Sequence, residues 1–360
     1  MPPAKEQSLV SIDIARAIAA FGVFYYHQHI GSMLSQYTGI SWLQYTDTFG
    51  ATFAVPLFFL ISGYCIHLSN IKYIKADEPL PVKAYYIRRF RRLYPPYAAA
   101  LLLSIAVALI TQPGYHLSLA DTLVHIFLLQ GFTVNYFTSI NVVLWTISVE
   151  VAFYIIYPVF YYLRRKYLLD KALLATLAVS VISITCFSFS GNNSYPAIYF
   201  VLNIWFSWCS GAYLADKVKL GESNLSKPVY KIIYAVILVA FILFKVAGFT
   251  KYVIIDYQLN ILVWTAPLVL LLRAEGWLSS KNNLVIEIAA KIGLSSYSLY
   301  LLHEPLIALK NYCAHAFLPQ KLHQAGVVAG IIIIPFIAWF SYKYIEKPFM
   351  ARRPEAIVNV

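Results

Sequence analysis

The chain has 360 residues, of which 60% are hydrophobic and only 12% charged, and its mean hydropathy is +0.66. A soluble domain of this length carries far more charge and alternates polar with apolar residues along its helices, so a soluble fold is excluded. The formal net charge of +12 would point to nucleic acid in a soluble protein; beside long apolar blocks it reports loop topology instead, and no nucleic-acid partner is expected.

Ten apolar stretches approach the roughly 20 residues that cross a bilayer. They predict an all-α, polytopic helical bundle, because a lipid-facing backbone must satisfy its hydrogen bonds internally. The first, 9–29, has no small-residue cleavage site behind its apolar core, so no removable signal peptide is expected. It carries Asp13, Arg16 and His27. Arg16 and His27 stand close to three helical turns apart, on one face and separated by roughly 16 Å along the axis. Asp13 lies one turn from Arg16 and is placed to pair with it.

The second stretch, 49–69, contains FFLISGYCI, and the loop after it is dense in cations: Lys72, Lys75, Lys83, Arg88, Arg89, Arg91 and Arg92. That loop ends in YYIRRFRRLYPPY, directly before the third stretch at 94–112. A basic juxtamembrane run binds anionic lipid or fixes topology. Guanidinium forks also match phosphate oxygens, so the same cluster suits the phosphates of a nucleotide cofactor. No Gly-rich phosphate loop accompanies it. The segment 113–141 is less regular, and its DTLVHIFLLQGF reads as a short helix lying at the outer surface or dipping inward.

The fourth stretch, 142–163, holds LWTISVEVAFY, with Trp145 at its outer end and Glu150 among apolar residues. A carboxylate there must be protonated, paired or facing water. Four further stretches follow at 168–187, 197–215, 229–248 and 252–272. The ninth, 288–310, runs outward through LSSYSLYLLHEP, where Ser296, Tyr300 and His303 make one polar stripe. His27, Glu150 and His303 are thus predicted at similar depth from independent helices. The tenth stretch is 325–345.

Alternate loops carry Arg164, Arg165, Lys166 and Lys171, then Lys217, Lys219 and Lys227, then Arg273 and Lys281, and the tail adds Lys347, Arg352 and Arg353. Only Lys245, Lys251, Lys310 and Lys321 fall on the other side, which puts both termini in the cytoplasm. No internal repeat or long linker divides the chain, so residues 1–360 read as a single membrane domain with no fused soluble domain. Cys65, Cys186, Cys209 and Cys313 have neither CxxC nor CxxH spacing; they read as small buried hydrophobes, and no disulfide framework or metal site is expected.

Several of these segments, in chain order, resemble the acyltransferase-3 family of bacterial membrane acyltransferases. SIDIARAIAAFGVFYYH matches the family opening of an Arg, ten residues, then a His. FFLISGYCI is similar to its Phe-Phe-x-x-Ser-Gly segment, RRFRRLYPPY to its Arg-x-x-Arg motif, and LWTISVEVAFYIIYP to its Trp-Ser-Leu-Ser-Val-Glu-Glu-x-Phe-Tyr signature. SSYSLYLLHEPL and IEKPF match its closing elements. The chain departs from the pattern at Ile14 and Ala17, where relatives carry Gly, and at Val151, which leaves Glu150 as the only carboxylate of the fourth-stretch signature.

The resemblance implies a multi-pass enzyme of the bacterial inner membrane, with acyl-CoA as donor substrate and no permanently bound cofactor. The acceptor it implies is a saccharide hydroxyl on lipopolysaccharide, exopolysaccharide or a lipid-linked precursor. On that reading Arg16, Arg89 and Arg92 bind the donor, and His27 acts with Glu150 as the chemical centre. Trp145, Tyr300 and His303 line the saccharide site. His27 would serve as general base or as an acyl-carrying nucleophile, and the residues do not choose between them. A small-solute transporter using the same buried charges is the alternative reading; it calls for repeated half-structures, which the sequence lacks.

Overall fold

The computed structural model describes residues 9–191, 194–219, 228–249, 252–281, 283–319 and 322–350. Lys227, Lys251, Lys321, Arg352 and Arg353, which entered the charge count, lie outside them. Among the described residues there is no strand. The main helices are α1 (Val10–His27), α2 (Ile30–Thr38), α3 (Val55–Leu68), α4 (Val82–Thr111), α5 (Leu119–Ile126), α6 (Trp145–Lys166) and α7 (Leu169–Ser190). They continue with α8 (Trp205–Lys219), α9 (Pro228–Val246), α10 (Val253–Val263), α11 (Thr265–Arg273), α12 (Leu284–Leu294), α13 (Ser296–Phe317) and α14 (His323–Ser341).

Seven helices among the described residues are long and apolar enough to cross a membrane, or eight if α12 and α13, bent by 73° at Ser295, count as one span. The ten predicted stretches all contain helix, but two fall short of that standard. Helix α1 carries Asp13, Arg16 and His27, which lower its apolarity. Helix α8 has 15 residues and is only about 22 Å long. The segment 113–141 forms α5 and then a short 3-10 turn, Gln130–Phe132. That turn folds under α6: Gln130 Nε2 donates to the Leu144 carbonyl at 2.8 Å, and the Gly131 amide to Ser148 Oγ at 3.2 Å.

Helices α3 and α8 touch backbone to backbone. A Cβ on Gly63 would fall on the Trp208 carbonyl and one on Gly211 on the Leu60 carbonyl, so only glycine permits this crossing. Beside it Phe153 of α6 stacks on Trp208 with ring centroids 5.1 Å apart. A second core joins α1, α4, α6 and α13 through Phe24, Tyr97, Ile147 and Leu299, all buried. This second core holds the site.

Prolines inside two helices create the clips that fix neighbours. Pro158 has no N–H for the carbonyl four residues earlier, that of Tyr154, which instead accepts from the Tyr85 hydroxyl of α4 at 3.2 Å. Pro305 likewise leaves the Leu301 carbonyl, which takes a hydrogen bond from Asn141 Nδ2 at 3.4 Å. At another crossing, buried Asp216 of α8 accepts from Arg164 Nε at 2.7 Å and Nη2 at 3.1 Å and lies 3.0 Å from His67 Nε2. This ionic knot ties α3, α6 and α8 together.

Candidate functional site

Five helices wall a cavity of about 110 Å³, and α3 supplies much of the lining, Ser62 and Cys65 included. Helix α1 contributes Arg16, α4 contributes Arg89 and Arg92, α6 contributes Glu150 and Tyr154, and α13 contributes Ser296, Tyr297 and Tyr300. The bend at Ser295 turns the N-terminal residues of α13 onto this cavity. Arg16 Nη1 sits 3.5 Å from Asp13 Oδ1, as the spacing predicts, and Nη2 reaches Cys65 Sγ at 3.3 Å. Arg89 Nη2 donates to Ser69 Oγ at 2.5 Å, and its guanidinium lies over the Tyr85 ring. Arg92 has no ion-pair partner among the described residues. Three guanidinium groups and one carboxylate, Glu150, line the cavity, while Asp13 pairs with Arg16 and buried Glu346 lies near Arg92 and Arg16; the guanidinium forks suit an anionic ligand. Arg88 and Arg91 do not line the cavity.

A second group of side chains lies further along α13, toward the end of α4 opposite the arginines. His27, at the C-terminal end of α1, directs Nδ1 onto a Glu304 carboxylate oxygen. The ring of fully buried His303 stands 5.1 Å from that of His27. His303 Nδ1 lies 2.7 Å from the Tyr300 carbonyl and 3.2 Å from that of Leu299, so Nδ1 carries the hydrogen and Nε2 the lone pair. Nε2 is buried and has no hydrogen-bond partner among the described residues.

Tyr300 joins the two groups. Its ring lines the arginine cavity and stands 5.8 Å from the ring of His303. The Tyr300 hydroxyl donates to the Val143 carbonyl at 3.2 Å and lies 2.9 Å from Thr146 Oγ1, which holds the ring against α6.

The structure thus gathers Arg16, Arg89, Arg92, Glu150 and Tyr300 at one cavity and His27 with His303 beside it. The equal depth predicted for Glu150 and His27 does not bring them together. Glu150 Oε1 accepts from Tyr154 at 2.5 Å and from Ser62 at 3.2 Å, on the arginine side of Tyr300. The carboxylate that meets His27 is Glu304, which the sequence reading passed over although it follows His303 directly. Trp145 also lies apart from the cavity. It stacks on Tyr199 with centroids 4.2 Å apart and on Phe137 at 5.0 Å.

His27, His303 and Glu304 each offer a ligand atom, all within 4.8 Å of one another, so this set is able to hold a divalent cation. A cation there would replace the direct contact between His27 Nδ1 and Glu304. Chemically the group offers an imidazole fixed by a carboxylate, which leaves the second ring nitrogen of His27 for proton transfer.

Residues 9–342 match the family of acyltransferase domains designated acyltransferase 3. The chain is 25% identical to a peptidoglycan O-acetyltransferase, OatA, of Listeria monocytogenes, an alignment covering 94% of this chain and 55% of that one. It is 24% identical to an O-acetyltransferase OatA of Staphylococcus aureus, covering 94% of this chain and 57% of the relative. The chain therefore spans little more than half the length of these relatives. No solved structure matches it. Matched by the family model over nearly its whole length, the chain belongs to the acyltransferase 3 family.

Proposed function

We propose that the protein moves an acetyl or other short acyl group from cytoplasmic acyl-CoA to a saccharide hydroxyl across the bacterial inner membrane. One observation carries this reading: Tyr300 lines the cavity with three arginines and contacts His303, whose ring stands against His27 of the histidine–carboxylate pair. The arginines take the CoA phosphates, and the acyl-bearing arm extends past Tyr300 toward His27. The positive-inside bias supports cytoplasmic termini and donor entry from that side. A saccharide acceptor is supported by the names of the relatives, which add peptidoglycan to the lipopolysaccharide and exopolysaccharide that the family resemblance suggested.

Chemically, His27 Nδ1–H donates to the Glu304 carboxylate, and Nε2 accepts the proton of the acceptor hydroxyl. The hydroxyl oxygen bonds to the thioester carbonyl carbon, and the carbonyl electrons move onto oxygen. Collapse of this tetrahedral species breaks the C–S bond and releases the CoA thiolate, which takes the proton back from His27. Glu304 stabilises the imidazolium in between, a contribution that such a carboxylate makes by orientation and charge. No net oxidation occurs, and the products are the ester and CoA-SH.

The reading is tested by reconstituting the protein in liposomes and supplying labelled acetyl-CoA on the face bearing Arg89, with saccharide on the other. Label on the saccharide ester supports it. Saccharide crossing without consumption of acetyl-CoA would favour a transporter instead.

A further inference from the structure

A second cavity, of about 340 Å³, lies at the far end of α4 from the arginines. Its polar wall comes from Thr111, Gln112 and Tyr115 on one side and from Thr138, Ser139 and Asn141 on the other. Arg92 and Thr111 are separated by about 28 Å along α4, close to a bilayer's hydrocarbon thickness. Glu304 lines this second cavity, and the same Glu304 carboxylate pairs with His27. The cavity therefore opens onto the reacting pair from the side opposite the donor.

From this placement we infer that the second cavity is the acceptor subsite, and that it takes an uncharged stretch of a saccharide. The inference rests on the acyl-transfer reading above and adds where the acceptor sits and what charge it bears there. Its wall is made of hydroxyl and amide groups, which exchange hydrogen bonds with sugar hydroxyls at little desolvation cost. No Lys or Arg lines it, while Glu304 does and Ser139 Oγ donates to Asp121 Oδ1 at 2.7 Å. One carboxylate at the wall, Glu304, with Asp121 behind Ser139 and no lining Lys or Arg, disfavours an anionic sugar. One group already lacks a partner: the Tyr115 hydroxyl is buried and unbonded among the described residues. A buried hydroxyl of this kind is costly to leave without a hydrogen bond, and a ligand hydroxyl supplies one.

Two variants of the full chain, reconstituted in liposomes with acetyl-CoA, test the assignment. Tyr115→Phe removes only the unbonded hydroxyl, and Thr138→Trp fills the cavity from an exposed position. The acceptors are neutral chitotriose and trianionic trigalacturonate, and acetyl-CoA hydrolysis without saccharide is measured in parallel. The assignment predicts chitotriose as the better acceptor. It also predicts an acceptor KM raised about three- to tenfold in Tyr115→Phe and more in Thr138→Trp, with the KM for acetyl-CoA and its hydrolysis unchanged. An unchanged acceptor KM in both variants, or preference for trigalacturonate, overturns the subsite while leaving the acyl-transfer reading intact. Wild-type protein that hydrolyses acetyl-CoA but esterifies neither sugar also overturns the subsite as stated. Wild-type protein that neither hydrolyses acetyl-CoA nor transfers its acyl group overturns both.

Discussion

His27 ends α1, Glu304 sits in the middle of α13, and the Nδ1 of the first rests against a carboxylate oxygen of the second. The contact fixes the ring of His27 and decides which of its nitrogens faces the remaining space. Both side chains keep about a fifth of their surface exposed, 20% and 24%, so a reactant can reach them.

Replacing Glu304 with Gln preserves the shape of this contact but removes the charge that stabilises an imidazolium. The expected result is a fall in kcat of about 10²-fold or more, with acetyl-CoA binding unchanged. Equal losses of kcat and thermal stability would assign Glu304 to packing alone.

Arg92 lines the cavity and has no ion pair within 4 Å among the described residues, so Arg92→Ala removes a cation from the proposed phosphate site. Acetyl-CoA affinity is expected to fall about tenfold or more, with a weaker dependence on salt than in the wild type. S-acetyl-pantetheine, which lacks the nucleotide, should bind both proteins alike. If its binding falls by the same factor, the phosphate assignment is wrong.

Much of this site was legible in the sequence because ionisable residues stand out against apolar stretches. Arg16 and His27 share a helix face by spacing alone, and the stripe of Ser296, Tyr300 and His303 emerged from periodicity. The partner of His27 was not legible. Glu304 is one residue from His303, hence about 100° around the helix, and only the contact between α1 and α13 shows which neighbour it meets. The placement of Trp145 away from the arginine cavity has a similar origin: Phe137, on which it stacks, comes from the irregular segment 113–141, whose fold under α6 depends on Gln130 and Ser148. Helix in each of the ten stretches was readable from apolarity, though only seven helices, or eight with the bent pair, are long and apolar enough to cross a membrane among the described residues. The bend at Ser295 had Gly293 two residues before it, but a lone glycine in an apolar helix is not a decisive signal.

The buried knot at Asp216 predicts a contrast in stability. Asp216→Ala removes the buried carboxylate that Arg164 and His67 share and should cost about 3 kcal/mol, read as a lowered Tm in detergent. Asp77→Ala, which breaks the exposed pair with Arg165, should cost less than about 1 kcal/mol. Comparable losses in the two variants would contradict the burial argument.

A general-base role requires His27 to keep a free ring nitrogen, which a bound cation at His27, His303 and Glu304 would restrict. Chelator treatment is therefore expected to leave transfer unchanged, and added Zn²⁺ to inhibit it in a manner reversed by the chelator. Loss of activity on chelation, restored by a metal, would show that the three residues serve as a metal centre instead.

Cysteine labelling in a background free of native cysteines tests the orientation. Glu78→Cys should react only from the cytoplasm and Pro113→Cys only from outside, following the Lys/Arg bias. The reverse pattern would invert donor and acceptor sides.

The most direct measurement of the central claim is transfer by His27→Ala, made alongside acetyl-CoA binding to the same purified protein. The account predicts a stable, inserted protein that binds acetyl-CoA as the wild type does and transfers the acyl group about 10²–10⁴-fold more slowly. A stable His27→Ala protein with near-native transfer would contradict it.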